Sequence, residues 1–359
     1  MSWEDNVRRV IPYVPGEQPK VCTDLIKLNT NEFPYPPSPK VTECLKKIQY
    51  EDFRLYPAPD VAPLRDAIAS HYGVLSDEVF VGVGSDDVIS MAFLTFFNSD
   101  KPVIFPDITY SFYDVWCNVY RIPFVKKPLN ADFRMIKSDY LTENGGIVVA
   151  NPNAPTGISE MEDVDFIEDI VRQNPDSVVI VDEAYVDFGG VSALPLIKKY
   201  DNVLVIRTFS KSRAFAGIRI GYAFGSPKLI KYMNDVKYSI NSYTMNRPAI
   251  ELGVAAISDS EYFEKTVGKI ISTREWTKVE LKKRGFRVTD SKANFVFAAP
   301  SKVSAKELFE ELKKRNIYVR FWDKDRIRDY LRITIGTENE MKSLMKAVDE
   351  ILQGQPESR

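Results

Sequence analysis

The chain has 359 residues, 44% of them hydrophobic and 27% charged, the proportions of a polypeptide that buries a core rather than a disordered or fibrous one. Its length exceeds the usual size of one core, so two packed lobes, or one large domain with a smaller companion, are expected, with a cleft between them. A formal net charge of -2 leaves no surplus positive charge for tracking a polyphosphate backbone, which argues against nucleic acid as a partner.

Cys22, Cys44 and Cys117 are widely spaced and lack any Cys-x-x-Cys pair, which argues against a structural zinc site or a disulfide framework and for a reducing compartment. The first residues, Met1 to Tyr13, include Glu4, Asp5, Arg8 and Arg9 and lack the apolar stretch of a signal peptide. No run approaches the roughly 20 apolar residues that span a bilayer. The expectation is a cytoplasmic protein with no membrane partner and no metal.

In chain order, Pro12 to Pro39 is rich in proline and polar residues, which predicts an extended arm lying over another part of the protein or a neighbouring subunit. Helical spacing follows over Val41–Ile48 and Pro63–Tyr72, with Pro63 suited to a first turn and Gly73 to a stop. Short apolar runs then recur at Val79–Val83, Val103–Phe105, Ile147–Ala150, Val178–Val181, Val203–Ile206 and Ile218–Ala223. Most are separated by helix-length segments such as Asp86–Phe97 and Ser159–Asn174. Runs of this kind suit strands buried on both faces, so the large domain is predicted to be α/β, a mostly parallel sheet flanked by helices. The last two connections are short, which suits an antiparallel strand at an edge. Glu251–Arg284 reads as one long helical stretch. Strands at Phe286–Thr289, Asn294–Ala298, Ile317–Phe321 and Tyr330–Ile335, with helices over Ala305–Arg315 and Glu338–Leu352, predict a smaller α+β domain. The expected division is an arm and part of the small domain over 1–40, a large domain over 41–245 and a small C-terminal domain over 246–359.

Ligands of an open parallel sheet sit beyond the carboxyl ends of its strands, so the loops there are the candidates. Gly84-Ser85-Asp86-Asp87 opens a helix whose backbone N–H groups suit a phosphate, although many helices start this way for structural reasons. Asn151-Pro152-Asn153-Ala154-Pro155-Thr156-Gly157 suits a rigid loop, and a plain turn explains it nearly as well. Asp182-Glu183-Ala184-Tyr185 puts a carboxylate at a strand end, where a helix cap is the commoner reading. Ser210-Lys211 follows a buried strand, with Thr208, Arg213 and Arg219 close by, unlike the Ser-Lys pairs at Ser291 and Ser301.

Jointly these loops supply what pyridoxal 5′-phosphate needs: a lysine for its Schiff base, an acid for its ring nitrogen and a phosphate site. Asp182 suits the ring nitrogen and Tyr185 the ring oxygen. Thr208, Ser210, Arg219 and the backbone at Ser85 and Asp86 suit the phosphate.

The ordered motifs resemble those of fold-type I pyridoxal phosphate enzymes, and more narrowly of the histidinol-phosphate aminotransferase family. The likeness runs through Ile11-Pro12-Tyr13, Leu28 to Glu32, Leu55-Tyr56-Pro57, Gly84 to Asp87, Pro106 to Tyr110, Asn151 to Gly157, Asp182 to Tyr185, Arg207 to Arg219 and Leu331 to Gly336. It implies that Lys211 is the covalent attachment point and proton shuttle, with Asp182 at the ring nitrogen and Tyr185 at the ring hydroxyl. Tyr110 would stack on the ring, and Tyr56 would reach the phosphate from the partner subunit of a homodimer. Arg332 would take the carboxylate of glutamate or 2-oxoglutarate, Arg320 with Tyr13 would take the phosphate of histidinol phosphate, and Asn31 would lie near the substrate. One departure is Ala154, where relatives carry an asparagine facing the ring oxygen; either Asn153 substitutes or Tyr185 makes that contact alone. The sole histidine, His71, is expected to be structural and far from these loops.

Rival readings within the same machinery are an aromatic amino acid aminotransferase and a threonine-phosphate decarboxylase. A nicotinamide-dependent dehydrogenase is disfavoured because Gly82-Val83-Gly84-Ser85-Asp86-Asp87 lacks the third glycine of the dinucleotide fingerprint. A non-catalytic binding protein is disfavoured by the joint presence of Lys211, Asp182, Tyr185 and Arg219.

Overall fold

The computed structural model describes residues 2–20, 24–162 and 164–354, so Cys22 lies outside the described residues. Its central sheet has seven strands in the order Val79–Gly82, Gly221–Phe224, Val203–Thr208, Val179–Asp182, Gly146–Ala150, Val103–Pro106 and Phe124–Lys127. From Val203–Thr208 to Phe124–Lys127 every pairing is parallel. The antiparallel strand is Gly221–Phe224, and it is not at the edge as expected. The loop from Phe209 to Ile220 is too short for a helical crossover, so the chain doubles back beside Val203–Thr208. Val79–Gly82 then takes the outer position. The opposite edge, Phe124–Lys127, was not foreseen, because it has only partly buried and exposed residues and lacks the apolar run of the inner strands.

Alternation along each strand sends neighbouring side chains to opposite faces. Val179, Val181, Val203 and Val205 pack with Leu64 and Ile68 of helix Ala62–Tyr72, Ile167 and Ile170 of Asp165–Gln173, and Ile250 of Arg247–Ile257. Ile180, Leu204 and Ile206 face the other way, onto Val88 and Ala92 of Ser85–Phe96, Trp116 of Tyr113–Tyr120 and Met233 of Pro227–Ile240. Helices cover both faces, the α/β architecture expected from the apolar runs.

A second sheet, antiparallel throughout, runs in the order Arg320–Phe321, Leu331–Thr334, Phe295–Ala299, Arg287–Val288. It shares a separate core with helices Ser260–Lys283, Ala305–Lys314 and Glu338–Gln353. Ile26–Lys27 of the arm pairs in parallel with Ile317–Tyr318 and leads Leu28 into this core. The expected single helix over Glu251–Arg284 is two, Arg247–Ile257 and Ser260–Lys283, because Asp259 caps the second by accepting from Tyr262 N at 3.4 Å. Among the described residues no helix is long and apolar enough to cross a membrane.

Candidate active site

The carboxyl ends of the parallel strands meet at a cavity of about 150 Å³, walled by Asp182, Tyr185, Lys211, Arg219, Tyr110 and the start of helix Ser85–Phe96. Asp182 ends its strand, register-paired with Ala150 and Ile206, which brings its side chain to the cavity at the sheet's carboxyl edge. It is buried, accepting from Tyr113 Oη at 2.8 Å and from Ala184 N at 3.1 Å. Burial pushes its pKa up to about 6, against the lowering effect of those two hydrogen bonds. Tyr113 itself is fully buried, and burial beside that carboxylate drives its pKa well above the usual phenol range.

Lys211 sits on a loop shaped by Thr208, whose hydroxyl accepts from Ser210 N at 3.0 Å and donates to Ile220 O at 3.3 Å. The Lys211 ammonium donates to Thr30 O at 3.4 Å and lies 5.7 Å from the centre of the Tyr185 ring. Behind this loop Glu183 and Arg207 form a buried ion pair at 2.9 Å, with Ser192 Oγ and Ala193 N also donating to the carboxylate.

Helix Ser85–Phe96 opens at Gly84 with no side chain capping its first N–H groups, where Ser85 and Asp86 line the cavity. Gly84 has φ 92°, and a Cβ there would stand 2.4 Å from Arg219 Nη2, so only glycine permits this approach. Arg219 donates to Ser210 Oγ at 3.4 Å and Ala216 O at 3.2 Å and stands 3.6 Å from Asp86. Tyr110 Oη donates to the other oxygen of Asp86 at 2.8 Å.

A wider cleft of about 310 Å³ adjoins this cavity across Tyr110, Ala154 and Tyr185 and contains Tyr13, Trp322 and Arg332. Arg332 Nη2 donates to Asn29 O at 2.8 Å, whereas its Nε is shielded from solvent and has no hydrogen-bond partner among the described residues. Trp322 lies 5.2 Å from both the Arg332 and Arg320 guanidinium carbons, and Tyr13 stacks on Phe112 at 4.2 Å. Arg320 does not line the cleft; its Nη2 donates to Val14 O at 3.5 Å.

Of the residues singled out from sequence, the structure therefore gathers Ser85, Asp86, Tyr110, Asp182, Tyr185, Ser210, Lys211 and Arg219 around one cavity. It does not bring Asn153, Thr208 or Tyr56 there. Asn153 is spent tying its loop to the one after Val103–Pro106, accepting from Thr109 Oγ1 at 2.8 Å and donating to Ile108 O and, within its own loop, to Thr156 Oγ1. Tyr56 is 79% exposed and stacks on Tyr243. Asn31 is buried and donates to Tyr185 Oη at 2.9 Å. His71 is not remote from the motif loops: its Nε2 lies 3.1 Å from Arg213 Nη2, and partial burial with that cation lowers its pKa to about 4. Tyr113 was missed. A tyrosine at the start of an amphipathic helix reads as core, and nothing in its spacing points to Asp182.

Residues 23–348 match the model of the class I and II aminotransferases. A histidinol-phosphate aminotransferase of Lactococcus lactis subsp. cremoris (strain MG1363) is 51% identical over 358 residues, 100% of both chains. One of Clostridium botulinum (strain Okra / Type B1) is 48% identical over 350 residues, 98% of both chains. The fold is similar to that of the Sinorhizobium meliloti histidinol-phosphate aminotransferase solved in complex with pyridoxal-5′-phosphate, with a TM-score of 0.83 at 22% identity over 91% of each chain. The chain belongs to the class I and II aminotransferases and, within them, to the histidinol-phosphate aminotransferase family.

Proposed function

We propose that the chain is a pyridoxal 5′-phosphate-dependent transaminase that converts histidinol phosphate and 2-oxoglutarate to imidazole acetol phosphate and glutamate, in histidine biosynthesis. The observation that carries this reading is the meeting of Lys211, the buried Asp182 and an uncapped helix start flanked by Arg219 around one cavity. Those groups fit the cofactor: an amine for attachment, an acid for the ring nitrogen, and N–H and guanidinium donors for the phosphate. When bound, the cofactor supplies an electron sink for the pair left when a Cα–H bond breaks.

The remaining chemistry belongs to side chains. Lys211 Nζ would be the attachment point for the cofactor, and as a base it would take the proton from Cα of the amino compound and deliver it to the cofactor carbon that bears the amino group. Asp182 would counter positive charge at the ring nitrogen, and Tyr113 and Ala184 N hold its carboxylate in place. Tyr185 would donate its hydroxyl proton to the oxygen of the cofactor ring, and Tyr110 would pack against the ring, since both line the cavity. Arg332, with a guanidinium edge left unsatisfied, takes the substrate carboxylate, because a buried donor without a partner is stabilised most by an anion. Tyr13 lines the cleft and would meet the phosphate of histidinol phosphate, whereas Arg320 would have to leave Val14 O and turn past Trp322 to join it. The proposal includes a homodimer in the cytoplasm. Phe53, Leu55, Tyr56 and Tyr243 form an exposed apolar patch suited to a second copy, and a partner's patch would carry its Tyr56 to this cavity.

The test is the visible spectrum of the purified protein loaded with cofactor, followed by single-turnover addition of L-histidinol phosphate and, separately, L-glutamate. A cofactor band that both amines convert to the amine form supports the reading. A band that glutamate moves and histidinol phosphate does not would move the assignment to another amine.

A further inference from the structure

Asn31 was expected beside the substrate, but its contacts point elsewhere. Its backbone N–H donates to Thr334 Oγ1 at 3.0 Å, and the same hydroxyl donates back to Asn31 Oδ1 at 3.0 Å. Asn294 Nδ2 donates to Asn31 O at 3.0 Å, and the residue sits at φ 56°, a left-handed conformation asparagine tolerates. The amide is therefore oriented: Oδ1 is committed to Thr334, and Nδ2 is left to donate to Tyr185 Oη at 2.9 Å.

An amide N–H only donates, so the Tyr185 oxygen accepts at that contact and its own proton must point another way. Phe295 packs edge-on against the ring at 5.1 Å and 89°, and the ring lines the cavity. The neighbouring wall is the methyl group of Ala154, which has no hydrogen-bonding atom to share the task. We infer that Asn31, locked by Thr334, is a positioning residue that orients the Tyr185 hydroxyl so that its proton faces the cavity. This rests on the cofactor reading above and makes Tyr185 the donor on this wall.

The test is a double-mutant cycle read as affinity of the cofactor-free chain for pyridoxal 5′-phosphate, with the absorption maximum of the bound cofactor as a second signal. Asn31→Ala is expected to weaken binding about 3- to 10-fold, the size of one neutral hydrogen bond. In a Tyr185→Phe background the same change is expected to matter less than about twofold, because the hydroxyl it orients is gone. Thr334→Val, which keeps the side-chain shape but releases the amide, is expected to behave the same way and carries the test if Asn31→Ala does not fold. Thr334→Ser restores the hydroxyl and should bind as the parent does. Equal losses in the Tyr185 and Tyr185→Phe backgrounds, or a raised KM for glutamate with unchanged cofactor affinity, overturn the inference and return Asn31 to direct substrate contact. If the parent chain itself takes up no cofactor, the functional reading fails with it.

Discussion

Asp182 is held in a site that favours its neutral form when no cation lies beside it. Its folded pKa of about 6 exceeds the ordinary aspartate value, so the folded chain binds more protons than the unfolded chain between about pH 4 and 6. Stability of the cofactor-free protein should therefore fall as pH rises through that window, by an amount of order 2–3 kcal/mol. Asp182→Asn removes the ionisation. Thermal melts of the cofactor-free protein should show the variant gaining on the parent at pH 7.5 relative to pH 4.5, and a pH-independent difference would contradict the assignment. Tyr113→Phe deletes one hydrogen bond to the same carboxylate and should weaken cofactor affinity about 3- to 10-fold while leaving the buried ring in place. Lys211→Ala should abolish transamination with an unchanged circular dichroism spectrum, since it removes the attachment point and the proton carrier together.

At the level of elements, the start of helix Ser85–Phe96 depends on two close backbone approaches. A Cβ at Gly221 would stand 2.2 Å from Gly84 C and 2.3 Å from Ser85 N, backbone atoms that have no rotamer to escape into. Gly221→Ala should therefore cost at least about 2 kcal/mol in a urea titration and lower cofactor affinity as well, because it pushes the helix start away from Arg219. The buried Glu183–Arg207 pair lies just behind the Lys211 loop. Glu183→Ala leaves the buried Arg207 guanidinium with only Asp187, at 3.7 Å, and should destabilise by about 2–4 kcal/mol, read from the same titration.

At the scale of the whole molecule, Arg274 is one of the side chains that tie the smaller core to the site. From helix Ser260–Lys283 its Nη1 donates to Phe188 O at 2.6 Å and to Ala293 O at 3.0 Å, joining the loop after Tyr185 to the loop before Phe295. The homodimer reading has its own test in subunit mixing. Lys211→Ala and Tyr56→Ala chains, each inactive or nearly so alone, should on statistical pairing rebuild about a quarter of the sites, because each mixed dimer holds one site with Lys211 and the partner's Tyr56 both present. No recovery would place Tyr56 outside the site.

The parallel sheet was legible because strands buried on both faces must be apolar at every position, and runs such as Val203–Ile206 say so without context. The site loops were legible because such a sheet puts its functional groups just after those runs, which located Asp182, Ser210 and Lys211. What sequence left open followed from groups whose partners are distant along the chain. The antiparallel strand sits inside the sheet because a later segment returns between two earlier ones. Asn153 and Asn31 look alike as loop asparagines, and only packing decides that Thr109 and Thr156 consume the first while Thr334 aims the second at Tyr185. Local preference selects strands, helices and turns, whereas the direction of a hydrogen bond depends on which polar groups folding leaves without water.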